Sequence, residues 1–234
     1  MKIWGISDTH FQSDQVDSMS KYGDVWVHHM EKIIENWKAV VGEDDLVLVG
    51  GDIVWSLHLE KALIDIRIID RLPGKMKIII QGNHDSWWQK YDDLCRAMPE
   101  RTFPLEGNAV KIDGQVICGS RGWISPNDPD FELLDRGTFD REMLLMKQAL
   151  DAAVKLDPKD GIHLLMHFPP FTTKGYKTPF FKLMTEYPVV TCTYGHFHVK
   201  TEWDALPKGV IQGIDCHLTS TDYLENKPDL VWQG

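Results

Sequence analysis

Five polar clusters each follow directly on an apolar run. Asp8-Thr9-His10 follows 2–7, and Gly51-Asp52 follows 46–50. Gly82-Asn83-His84-Asp85 follows 77–81, His167 follows 162–166, and Gly195-His196-Phe197-His198 follows 189–194. Imidazole nitrogen, carboxylate oxygen and amide oxygen together suit Mn, Fe, Zn, Ni or Co. One ion rarely takes so many side chains, whereas two ions sharing a bridging carboxylate would. Gly51, Gly82 and Gly195 each precede a candidate ligand. Each is expected to let the chain turn sharply off its strand, with positive φ open to it.

The elements that must position these clusters are short strands alternating with helices, which is the α/β signature. Strands are expected at 2–7, 46–49, 77–81, 162–166 and 189–194. Apolar spacing predicts helices over 24–41, starting at Asp24 as N-cap, over 57–72, and over 140–156. A polar helix is expected at 86–98. Asp113-Gly114, between 109–112 and 115–118, is a hairpin signal. Two long loops, 120–139 and 168–188, begin beside candidate residues, and long loops inside a compact domain are usually functional. The tail, 209–233, reads as mixed strand and turn. In open α/β sheets, sites form outside the carboxyl ends of the strands, where all five clusters fall.

The chain has 234 residues, enough for one large domain or two small ones. A single domain over 1–234 is expected. Lys plus Arg number 25 against 35 Asp plus Glu, a net charge of −10. That balance disfavours coating of nucleic acid or of an anionic membrane. It leaves an anionic substrate open, because bound cations reverse the field locally. Cys95, Cys118, Cys192 and Cys216 form no C-x-x-C pair and fit buried thiols in a reducing compartment. The N-terminal apolar run is too short for a signal peptide, and nowhere are there 18 consecutive apolar residues. A cytoplasmic protein without membrane partners is expected.

In order, the series D-x-H, G-D, G-N-H-D, H, G-H-x-H resembles the calcineurin-like metallophosphoesterase superfamily. It spans residues 8 to 198. The resemblance implies a two-sheet α/β sandwich with helices on its outer faces, in four α/β/β/α layers. It implies that Asp8, His10 and His198 hold one metal, that Asn83, His167 and His196 hold a second, and that Asp52 bridges both. A metal-bridging water or hydroxide would be the nucleophile. His84 would not bind metal; it would protonate the leaving oxygen. Two divalent or trivalent ions are implied, manganese first, with Fe, Zn, Ni or Co as alternatives. The chemistry is sound apart from the family: two cations neutralise a phosphoester, activate water and align it, and an acid assists the leaving group.

The chain also departs from its better-known relatives. In the Ser/Thr protein phosphatases the G-D motif continues to a second Asp, which orients the catalytic His, and to an Arg that holds phosphate. Trp55 and Ser56 stand there instead. Purple acid phosphatases have a metal-binding Tyr where Trp55 stands, and Trp cannot ligate. Asp85, adjacent in sequence, is a weak candidate to orient His84. Arg121 is the candidate phosphate cation, with Lys174, Tyr176 and Lys177 behind it. His28, His29, His58, His163 and His217 are read as structural, and Trp87 and Trp88 as packing beneath the loops. The expected substrate is a small-molecule or nucleotide phosphomonoester or phosphodiester. Two rivals remain: a non-catalytic scaffold of the same fold, and a nuclease of the same superfamily, which would need a local basic strip such as 174–182.

Overall fold

The computed structural model describes residues 1–14 and 19–234. The chain forms two compact units, Met1–Pro104 with Thr219–Gly234, and Leu105–Leu218. The expected α/β class holds. There are two mixed sheets of five and six strands with flanking helices, the components of the expected sandwich.

The first unit contains β1 (Lys2–Ile6), α1 (His29–Val40), β2 (Leu46–Val49), α2 (Leu59–Asp70), β3 (Met76–Ile80), α3 (Tyr91–Ala97) and β4 (Thr102–Leu105). The second contains β5 (Asn108–Ile112), β6 (Gln115–Ser120), α4 (Arg136–Lys155), β7 (Ile162–Met166), α5 (Pro179–Met184), β8 (Val189–Tyr194), α6 (Lys200–Ala205), β9 (Gly209–Ile211) and β10 (Ile214–Leu218). β11 (Asp229–Gln233) returns to the first sheet.

In the first sheet the order is β11-β1-β2-β3-β4. β1 runs parallel to β2, β2 parallel to β3, and β11 antiparallel to β1. Val47, Val49, Trp4, Ile6 and Ile79 form one apolar face, which packs with Ile33 and Trp37 of α1 and Ala62, Ile66 and Ile69 of α2. Ile3, Leu46, Leu48, Ile78 and Ile80, of opposite parity, are equally buried. A strand buried on both faces must read as a continuous apolar run, and these do.

In the second sheet the order is β5-β6-β7-β8-β10-β9, parallel from β6 through β7 and β8 to β10. The Asp113-Gly114 hairpin forms as expected: Ile112 pairs with Gln115, and both turn residues have positive φ, 49° and 92°. α4 packs on β5 and β6. His163 is a core residue, its ring bridging Thr191 Oγ1 and Gln115 Oε1 at 2.9 and 3.0 Å.

Several expected boundaries move. Asp24 opens a 3-10 turn, and α1 starts five residues later, behind His28 in a left-handed conformation. The polar segment 86–98 is helical only at Tyr91–Ala97. α4 starts at Arg136 rather than 140 and shortens the first long loop, while α5 interrupts the second. β4 and α6 were not expected. β4 carries Pro104 at a sheet edge, where a missing N–H costs nothing, and α6 is too short for a periodic signal. Among the described residues no helix is long and apolar enough to cross a membrane.

Candidate metal-binding sites

The first unit gathers its chemistry at the carboxyl ends of β1, β2 and β3. The turns after β1 and β2 are zipped together. Asp8 N–H donates to Gly51 O at 2.9 Å, His10 N–H to Asp52 O at 3.0 Å, and Phe11 N–H to Ile53 O at 2.9 Å. Thr9 Oγ1 adds a bond to Ile53 O at 3.0 Å. The turn after β3 joins through Asp52, whose Oδ1 accepts the His84 N–H at 2.7 Å. Asp52 Oδ2 lies 3.8 Å from His10 Nε2 and 4.0 Å from His84 Nε2. Ser7 Oγ donates to Asp8 Oδ2 at 2.6 Å. Asp8, His10 and Asp52 are buried, while the His84 side chain is 50% exposed.

The glycine expectation is corrected in part. Gly51 does take positive φ, 85°, but Gly82 and Gly195 do not. The candidate ligands turn instead: Asp8, His10, Asp52 and His196 have φ of 56°, 42°, 50° and 75°. Non-glycine residues hold such backbone only where their surroundings over-determine it, and such strain concentrates at functional sites. Gly82 is required for a different reason. A Cβ there would overlap the Asp52 carboxylate and backbone N.

Asp85 does not orient His84. Its Oδ1 accepts from Ile53 N–H at 2.9 Å, Val54 N–H at 3.3 Å and Trp87 Nε1 at 2.9 Å, and its Oδ2 from Gly82 N–H at 2.8 Å. The carboxylate staples the turn after β2 to the turn after β3. Burial, then Asp52, pushes its pKa up to about 7, against the pull of those backbone N–H groups. Trp87 is fully buried and packs as expected, and Trp88 lies against the same core. The residue on His84 is Trp55: the two rings stack, with centroids 4.9 Å apart and planes at 26°. Reading Trp55 only as a missing carboxylate gave no signal for this. His29 is a second support, structural as expected. Its buried ring lies 3.2 Å from both Trp26 O and His10 O, which fixes the His10 turn against α1, and burial holds its pKa below the usual value.

The second unit places His167 after β7, and His196 and His198 after β8. Gly195 N–H donates to His167 O at 3.0 Å, and the His167 and His196 rings meet edge to face at 5.1 Å. His167 is fully buried, whereas His198 is exposed. Phe168 lies against His196, with centroids 4.0 Å apart. Beside them is a cavity of about 150 Å³ lined by Trp123, Phe168, Phe171, His196, Phe197 and Glu202. Arg121 O accepts the N–H groups of His167 and Phe168 at 3.1 and 2.9 Å. The Arg121 guanidinium is only 15% exposed, sits over the Trp123 ring and pairs with Glu142 at 3.3 Å. Its charge is already engaged, so a phosphate would compete with a buried carboxylate for it. Of the loop candidates, Tyr176 is exposed and the Lys177 ammonium sits over the Phe181 ring.

The donor set fits transition metals: carboxylate oxygen and imidazole nitrogen, with Asn83 offering an amide oxygen on the turn after β3. Asp8, His10 and Asp52 in the first unit, and His167 and His198 in the second, belong to groups of side chains that could hold a metal ion.

Comparison with known proteins places this series. The uncharacterized protein MJ1445 of Methanocaldococcus jannaschii is 33% identical over 127 residues, which is 50% of this chain and 68% of that one. The crystal structure of the protein of unknown function AQ665 from Aquifex aeolicus is 18% identical. It aligns with a TM-score of 0.49 over 97% of this chain and 94% of that chain. Residues 1–200, a span holding every one of the five clusters, match the calcineurin-like phosphoesterases, and the chain belongs to that family.

Proposed function

We propose that this protein hydrolyses small phosphoesters with two transition-metal ions. Asp8, His10 and His198 are ligands of the first, Asn83, His167 and His196 of the second, and Asp52 bridges both. On this proposal residues 1–234 act as one catalytic domain. When bound, the metals neutralise the ester's charge and activate the attacking water. The water oxygen bonds to phosphorus as the ester P–O bond breaks; His84 gives its proton to the departing alcohol oxygen, and the proton released by the attacking water restores it. His84 suits that role because its backbone is fixed by Asp52 while half of its side chain remains open to a substrate. Asp52 anchors His84 and adjoins His10, so the acid is tied to a ligand of the centre it serves.

One observation carries this reading. In a chain of this family, Asp8, His10 and Asp52 share left-handed, hydrogen-bonded turns at the ends of two neighbouring parallel strands, β1 and β2. The test is hydrolysis of p-nitrophenyl phosphate and bis(p-nitrophenyl) phosphate by metal-stripped protein, before and after reloading with Mn²⁺. Metal-dependent release from either ester supports the proposal, and the ratio between them assigns monoester or diester preference. No release from either, with both metals confirmed by elemental analysis, overturns it in favour of the scaffold reading.

A further inference from the structure

His84 is half exposed on a turn, and an exposed imidazole samples several rotamers unless something restrains it. A proton donor must instead present one nitrogen to one oxygen. The carboxylate next to it in sequence is not available, because both oxygens of Asp85 accept N–H groups of the surrounding turns. Ser56 is also committed, its hydroxyl donating to His58 O at 3.2 Å. Trp55, by contrast, is anchored by its own N–H to Phe11 O at 3.0 Å and lays its indole against the imidazole, 4.9 Å between centroids at 26°. Trp55 and His84 together line an open cleft of about 410 Å³, with Leu57, Lys61 and Ser86 around it.

We propose that Trp55 is the positioning residue of His84: its stacked indole holds the imidazole in the cleft so that the ring's proton faces the leaving-group oxygen. The proposal rests on the hydrolase reading above and deepens it. The flat apolar face of the indole restrains the plane of the ring, beside the Asp52 carboxylate 4.0 Å from His84 Nε2. A stack fixes the plane of the ring through its face rather than through its nitrogens. The cleft then receives the leaving group, because it is where His84 is reached from solvent.

The test exploits the chemistry of two leaving groups. A p-nitrophenolate departs without a proton, whereas a benzyl alkoxide needs one. The Mn²⁺-loaded wild type, Trp55→Leu and Trp55→Phe are compared on p-nitrophenyl phosphate and benzyl phosphate, with kcat and KM separated. Trp55→Leu is expected to lower kcat on benzyl phosphate at least about tenfold more than on p-nitrophenyl phosphate, a part of what general acid catalysis contributes. Trp55→Phe, which keeps a stacking ring, is expected to recover most of that difference. In a His84→Ala background the added Trp55→Leu change should have no selective effect, as expected of two residues acting as one unit. Equal losses on both esters, or a selective loss that persists without His84, would show that Trp55 only packs. A metal-loaded wild type that cleaves neither ester sinks the hydrolase reading itself, and this inference with it, before any variant is compared.

Discussion

The two units hold their candidate ligands in contrasting ways. In the first, Asp8, His10 and Asp52 are buried, lie on left-handed backbone and are zipped turn to turn by main-chain bonds. In the second, His167 is buried but His198 is exposed, and only His196 takes positive φ. Strain of this kind costs about 1–3 kcal/mol per residue and survives only where the surroundings enforce it. The first unit is therefore a rigid platform that fixes Asp52 and His84 together. The second offers imidazoles beside an aromatic cavity, with less of its backbone committed to them. The difference teaches that a ligand's place in a motif does not reveal how firmly it is held.

Breaking the platform should have the largest effect. Asp52→Asn removes the charge proposed to bridge the metals while keeping an oxygen that can accept the His84 N–H, so activity and metal content should fall together. A loss of at least about 100-fold is expected, since even outer partners of metal ligands cost 10–100-fold. Elemental analysis alongside the p-nitrophenyl phosphate assay checks it, and retained metal would contradict the bridging role. Next, His84→Ala should leave the fold and both metals in place. It should lower turnover of an alkyl phosphoester by about 10²–10⁴-fold. Loss of metal in that variant would mean that His84 is a ligand after all.

Gly82→Ala probes packing within the same platform. The added Cβ collides with Asp52, so destabilisation by about 1–3 kcal/mol is expected, with weaker metal binding. Urea denaturation and metal titration read the two effects. An effect of only about 1 kcal/mol at mildly acid pH belongs to the second unit. Burial pushes the His163 pKa down to about 4 from an ordinary 6.5, so between these values the unfolded chain binds more protons than the folded one. Stability is therefore retained above pH 6.5 and declines as the pH falls toward 4, by about 1 kcal/mol at pH 5.5 and up to about 3 kcal/mol in full. His163→Gln should flatten this dependence in denaturation series, and an unchanged slope would assign it to other groups.

Much of this was legible in the residues because its causes are local. Apolar runs gave β1, β2, β3, β7 and β8 within a residue or so, and Asp113-Gly114 gave its hairpin. Buried parallel strands require such runs, and the type of turn requires such a pair. The helix starts at Asp24 and at 140 were misplaced because a capping residue type does not by itself fix a boundary: His28 and Asp135 precede the helices, and neither makes a side-chain cap bond.

The series from Asp8 to His198 by itself determined the family and the residue types available for metal chemistry. The sequence alone could not say where each side chain would point. Left-handed backbone falls on the candidate ligands rather than on Gly82 and Gly195 because bonds between turns distant in sequence impose it. Asp85 staples turns, Arg121 answers Glu142 and Trp55 lies on His84 for the same reason. In each case the partner is chosen by three-dimensional proximity and by the need to satisfy buried polar groups, and neither is written in the spacing of a motif.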